Sequence, residues 1–196
     1  MNPIRAIAIL CLVLVTLPLS IQAQRKSLSP QARKLTDALS DLQKEPDDPD
    51  VQERYLKAFP QDYKSFLALF DLDRELYDGH EFIVVLPSLA RNHEAEAGHL
   101  VVQLSKDAHW DADAPNYLKE ATVAYGDEHT KIFAALLQQL PIAERANLIS
   151  FLADTENFAA YPQYQAVIDH LKSLRQNNLA KEFETAKASR EKRNSR

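Results

Sequence analysis

Glu81-Phe82-Ile83-Val84-Val85-Leu86-Pro87 is the segment on which the fold class turns. Its β-branched and aromatic side chains suit a buried strand, and a short apolar run does not by itself separate strand from helix. A strand needs a partner, because buried backbone N–H and C=O groups left unpaired cost free energy. No second segment of the chain reads as that partner. The segment is therefore expected to be helical, with a kink at Pro87, whose ring removes one intrahelical hydrogen bond.

The flanking chain reads the same way. Upstream, Ser29-Pro30 opens a helix with Leu35, Ala38, Leu39 and Leu42 at helical spacing. Glu45-Pro46-Asp47-Asp48-Pro49 breaks it. Asp48 is placed to cap, and Pro49 to start, a second helix aligning Val51, Tyr55 and Phe59. Pro60 restarts the chain before Tyr63, Phe66, Leu67 and Phe70, and Asp78-Gly79 marks a turn.

Downstream, a helix is expected from about Asn92 to Asp107, then a polar connector. Another follows from Asp113-Ala114-Pro115, with Asp113 as cap and Gly126 as terminator. Asp127 is placed to cap the next, which carries Ile132, Phe133, Leu136, Leu137 and Leu140. Pro141 and Pro162 begin two more, and Asn177-Asn178 precedes a last charged helix. The expected fold is all-α: a single compact, irregular domain of roughly nine or ten short helices. Proline starts at Pro60, Pro115, Pro141 and Pro162 fall at unequal intervals, so no fixed repeat emerges. An α-solenoid-like stack of helical hairpins is the alternative.

The N-terminus reads as a targeting segment. Met1–Arg5 is positively charged, Ala6–Leu19 is apolar, and Ile21-Gln22-Ala23 offers a cleavage site before Gln24. The apolar run is shorter than the roughly 20 residues a membrane-crossing helix needs. Residues 1–23 are thus expected to be a signal peptide, 24–186 the helical domain and 187–196 a basic, frayed or disordered tail. The expected location is periplasmic or secreted, with no stable membrane insertion after cleavage. Cleavage removes Cys11, the single cysteine, and with it disulfide and thiolate chemistry.

The chain has 23 basic and 28 acidic residues. Without Arg5 the balance is 22 − 28 = −6. Lys181 to Arg196 carries six basic and three acidic residues, so Gln24 to Ala180 is −6 − 3 = −9. An acidic body argues against a nucleic-acid surface and is compatible with a basic partner protein. The tail has no apolar residue beyond Ala188 to bury, so fraying is expected there.

Candidate chemistry concentrates in His93–Tyr117, HEAEAGHLVVQLSKDAHWDADAPNY. His93 and His99 look like a zinc-protease pair but stand at i, i+6. On a helix that separates them by roughly 120°, whereas i, i+4 shares a face. Glu96-x-x-His99 occurs once, and a di-iron site needs two such motifs. Asp71 to Phe82 resembles a calcium loop, but its sixth and twelfth positions are Leu76 and Phe82 rather than glycine and glutamate.

Asp107, His109, Asp111 and Asp113 alternate. In extended backbone they would share one side, where oxygen and imidazole donors could converge on a divalent ion. The same residue types serve equally as helix caps, with Trp110 anchoring the connector. No G-x-S-x-G, S-x-x-K or glycine-rich phosphate loop is present. No catalytic residue, metal or cofactor is assigned. The candidate binding residues are His99, His109, Trp110, Asp111 and Asp113.

Three functions follow in order. The first is an exported, acidic, non-catalytic protein that binds another protein, such as an immunity or inhibitor protein against a cationic cell-wall enzyme. The second is a metal-binding protein or metal-dependent hydrolase centred on the His109–Asp113 connector. The third is a small-ligand carrier using the aromatic cluster of Tyr55, Phe59, Tyr63, Phe66, Phe70 and Tyr77.

Overall fold

The computed structural model describes residues 28–109, 111 and 113–195; the expected signal segment, Trp110, Ala112 and Arg196 lie outside them. Among the described residues there are ten α-helices, one 3-10 turn at Phe158–Ala160 and no strand. The helices are α1 (Pro30–Lys44), α2 (Pro49–Ala58), α3 (Tyr63–Phe70), α4 (His80–Ile83), α5 (Leu86–Ser105), α6 (Ala114–Glu128), α7 (Thr130–Gln139), α8 (Ile142–Leu152), α9 (Pro162–Ser173) and α10 (Asn177–Asn194). Among the described residues, no helix is long and apolar enough to cross a membrane.

The deciding segment is helical and divided. Phe82 and Ile83 are buried from α4, and Leu86 and Leu89 from α5, while Val84 between them is exposed. The kink lies elsewhere than expected. Pro87 sits in the first turn of α5, where its missing N–H has no intrahelical partner to lose. The break instead falls at His93, with φ −130° and ψ 52°, where the ring Nε2 lies 2.8 Å from the Pro49 carbonyl.

α5 and α6 form the hub. They pack on each other; α5 also meets α2, α3, α7 and α8, and α6 also meets α4, α7, α8 and α9. Two polar contacts set their register. The Ser105 and Thr122 hydroxyls pair at 2.8 Å in the core, and the Tyr125 hydroxyl donates to the Glu94 carbonyl at 2.8 Å. Solenoid hairpins touch only their neighbours. Here distant helices meet, and buried side chains from all ten join one core.

Two expected helix starts carry their caps: the Ser29 hydroxyl accepts from the Ala32 N–H, and the Asp48 carboxylate from Asp50 and Val51. A third cap was not anticipated: the Asp62 carboxylate accepts from Ser65. Around residue 126 the outcome differs. Gly126 does not end α6. It lies inside that helix, where a Cβ would strike the Phe133 ring, so glycine lets α7 pack close. Asp127 does not cap α7; it belongs to α6, and its carboxylate lies 3.2 Å from His170 Nδ1.

The aromatic cluster is a packed corner. Tyr55, Phe59, Phe66, Phe70 and Phe82 pack as a chain of tilted rings with centroids 5.0–6.4 Å apart. Burying each such ring contributes about 1.5–3 kcal/mol. Tyr77 stands apart from it, exposed.

The C-terminal segment also differs from expectation. α10 stays helical to Asn194; Leu179, Ala180 and Phe183 bury its first half, and its last turns are held by polar groups. Lys187 donates to Gln165 and lies over the Phe158 ring at 5.3 Å. Arg190 and Asn194 donate to backbone carbonyls of the segment after α8. Apolar content alone did not reveal those acceptors.

Candidate functional site

The chain leaving α3 turns twice in nine residues. The Arg74 N–H donates to the Asp71 carbonyl, and Tyr77 N–H to that of Arg74, while Leu76 N–H reaches back to Leu69. Asp73, Asp78 and Gly79 take left-handed backbone, with φ of 63°, 75° and 64°. That region costs an ordinary L-residue roughly 1–2 kcal/mol, least for Asp and Asn and nothing for Gly. Gly79 has a second constraint, because a Cβ there would press on the Phe70 ring.

Three contacts pin this loop. The Glu75 carboxylate accepts from both the backbone N–H and the hydroxyl of Ser29. The Tyr77 hydroxyl donates to the Asp113 carboxylate, 36 residues away in sequence. Tyr117, on α6, receives the His80 ring edge-on at 4.6 Å. Asp78 Oδ1 is buried without a hydrogen-bond partner among the described residues.

The connector runs alongside. Tyr63 donates to the His109 carbonyl at 3.3 Å, and the two rings meet edge-on at 5.4 Å. From the other flank, Asn147 on α8 donates to the Lys106 and Ala108 carbonyls at 2.6 and 3.2 Å. Lys106 pairs with Glu144 at 2.8 Å. A groove of ≈ 570 Å³ lies between α3 and the connector, with Asp71, Arg74, Asp107 and His109 among its walls.

The structure thus brings together three of the sequence candidates and separates one. His109 and Asp111 are exposed on the connector, and Asp113 is half-buried at its end. His99 lines another groove, beside Glu53, Leu56 and Lys57 of α2. Trp110 lies outside the described residues. The expected role of Asp113 is corrected. Its side chain does not cap α6, because Tyr77 engages it; only its backbone carbonyl serves the first turn, accepting from Asn116 and Tyr117. Asp113 adopts φ 63° to do both.

Among the described residues, no three His, Cys, Asp or Glu side chains gather as metal donors. What gathers instead is charge around exposed apolar groups. Residues 71–81 carry five acids and Arg74, net −4, and residues 107–113 carry three acids and no Lys or Arg, net −3. Within the first of these segments Leu72 is 66 % exposed and Tyr77 48 % exposed. The field acts on the tyrosines nearby. Tyr63 is pushed up to about 12, by burial first and then by Asp111 and Asp71. Tyr77 is raised by its hydrogen bond to Asp113, and Tyr117 by burial and then the Asp78 charge. All three stay protonated donors at neutral pH.

Sequence reasoning did not single out Leu72 or Tyr117, placed Tyr77 in the aromatic cluster and read Asp78 only as a turn. The acidic turn was visible, but no linear spacing joins residue 77 to residue 113. No family model matches the chain, and neither a curated protein nor a solved structure matches it.

Proposed function

We propose that this chain is a non-catalytic binding protein that docks a basic partner protein on the face formed by residues 71–81 and 107–113. The observation that carries this is the pinned loop: Leu72 and Tyr77 stand exposed among five carboxylates, against a connector that adds three more. Protein interfaces use apolar and aromatic anchors ringed by polar groups, and complementary charge speeds encounter and selects partners. A loop already held in shape loses little entropy on docking. Together with the export signal expected at residues 1–23, this supports an immunity or inhibitor role against a cationic cell-wall enzyme in the periplasm or medium.

The test is titration of the protein against a panel of basic cell-wall hydrolases, following Trp110 fluorescence and calorimetry at about 50 and 300 mM salt. At least one enzyme should bind, less tightly at the higher salt. Asp71→Lys and Leu72→Ser should each weaken that binding at least tenfold. No binding across the panel, or binding indifferent to both substitutions, would overturn the proposal.

A further inference from the structure

α8 and α10 lie side by side and leave a trough of ≈ 770 Å³ between them. Its depth comes from small side chains, with Ala146 on α8 and Ala186 on α10 beside Ile149 in its lining. Ile142, the first residue of α8, stands 78 % exposed along it. Arg145 reaches Glu182 on α10 through two hydrogen bonds, at 2.9 and 3.1 Å, so those charges cancel and clamp the helices. Lys181 and Arg193 also line the trough, and among the described residues neither has an ion-pair partner. The surface is therefore an apolar slot with two unneutralised cations.

Its complement is present in the same chain. Asp71-Leu72-Asp73 presents an exposed apolar knob with a carboxylate on either side, on a loop held by Ser29 and Asp113. We infer that a second copy of this chain docks its 71–81 loop in the α8–α10 trough, Leu72 entering the slot and Asp71 and Asp73 meeting Lys181 and Arg193. The contact is heterologous, so it propagates as a ring or an open chain. A trough-to-trough dimer is disfavoured, because it would set the free cations of both copies against one another. The inference uses the loop assigned to the partner above, and it makes self-association and partner binding mutually exclusive.

The experiment is sedimentation velocity on the full chain between about 10 and 500 µM, at about 50 and 300 mM salt, with helix content checked by circular dichroism. The average mass should rise with concentration and fall with salt. Lys181→Glu with Arg193→Glu should weaken self-association at least tenfold. So should Asp71→Lys with Asp73→Asn, asparagine being chosen because it tolerates the left-handed backbone at residue 73. Mixing the two charge variants should restore association, since each loop then faces a trough of opposite sign. Leu72→Ser, at an exposed site, repeats the loop test should the double variant lose its helix content.

A monomer at every concentration would overturn the inference. So would association that survives the loop variants, which would indicate a trough-to-trough dimer, or a mixture that fails to associate. The trough variant separates the two proposals. If it still binds a basic hydrolase while wild type proves monomeric, the partner surface stands and self-docking falls.

Discussion

The loop after α3 and the segment after α8 both follow a helix and both carry carboxylates, yet they are closed by opposite means. After α8, cationic and amide side chains come down onto the backbone. Lys119 of α6 donates to the Asp154 carbonyl at 2.9 Å, Arg190 of α10 to Thr155 at 3.2 Å, and Asn194 to Thr155 and Glu156 at 3.1 Å each. Arg190 Nη2 also lies 2.8 Å from Asp154 Oδ1, an ion pair outside hydrogen-bond alignment. After α3, the loop is held by its own turns, by Ser29 and by Tyr77, and Leu72 and Asp73 stand exposed. Acidity alone therefore does not mark a surface for a partner. What matters is whether the fold has already supplied the opposite charge.

Alkaline titration should separate the two regions most. Tyr161 and Tyr164 near the second segment, with Tyr55 and Tyr125, are raised by burial, as is Tyr63 at about 12. Above a pH of about 10 the unfolded chain loses these protons while the folded chain keeps them, so stability falls as pH rises. Their contribution is intact below about pH 10 and is lost as pH climbs through the folded values. Lys119 works the other way, since burial lowers its pKa and rising pH relieves that penalty, but it is one group against five. Absorbance of tyrosinate should show Tyr77 and Tyr117 ionising ahead of a cooperative step in which the buried rings ionise as the fold opens. Smooth titration of all seven tyrosines without unfolding would contradict this packing.

Gly79→Ala attacks the loop after α3 directly. The left-handed backbone and the clash with Phe70 together should cost about 2–4 kcal/mol, lowering the thermal midpoint by roughly 6–10 °C. An unchanged midpoint would mean that the loop can relax without loss. Truncation after Thr185 is the matching test at the other segment. It removes Lys187, Arg190 and Asn194 and should lower the midpoint by more than about 4 °C. A smaller change would restore the expectation of a tail that contributes nothing.

Tyr77→Phe should have the smallest effect on stability, a midpoint shift under about 2 °C, because the bond to Asp113 is exposed. Its effect should appear in hydrogen exchange instead, as faster exchange at Leu76 and Tyr77 with residues 153–157 unmoved. Exchange that rises equally in both segments would show that they do not behave independently.

The helices were largely legible because their signals are local. Ser29-Pro30, Asp48-Pro49 and Pro162 mark starts through cap and ring chemistry that acts within one turn. The ambiguous Glu81–Pro87 resolved correctly as helix by elimination of a partner strand. Misplaced details share one cause. Pro87 and Gly126 were given their common backbone roles, a kink and a stop, but the kink fell at His93 and Gly126 serves the approach of Phe133.

The candidate site was legible only in part. His109, Asp111 and Asp113 drew attention through their alternation, and they do share a face with the acidic turn. His99 was drawn in by proximity in sequence, yet a helix carries it to a different groove.

By itself the sequence determined an all-α chain, an acidic body and the positions of most helix starts, since periodicity, charge and capping are properties of neighbouring residues. Only the tertiary structure decided which acids are neutralised and which are left facing out. Tyr77 meets Asp113 across 36 residues, and Arg190 meets Asp154 in the same way from the far end of α10. Those pairings depend on how helices pack around α5 and α6, and packing is a sum over many weak contacts that no single stretch of sequence contains.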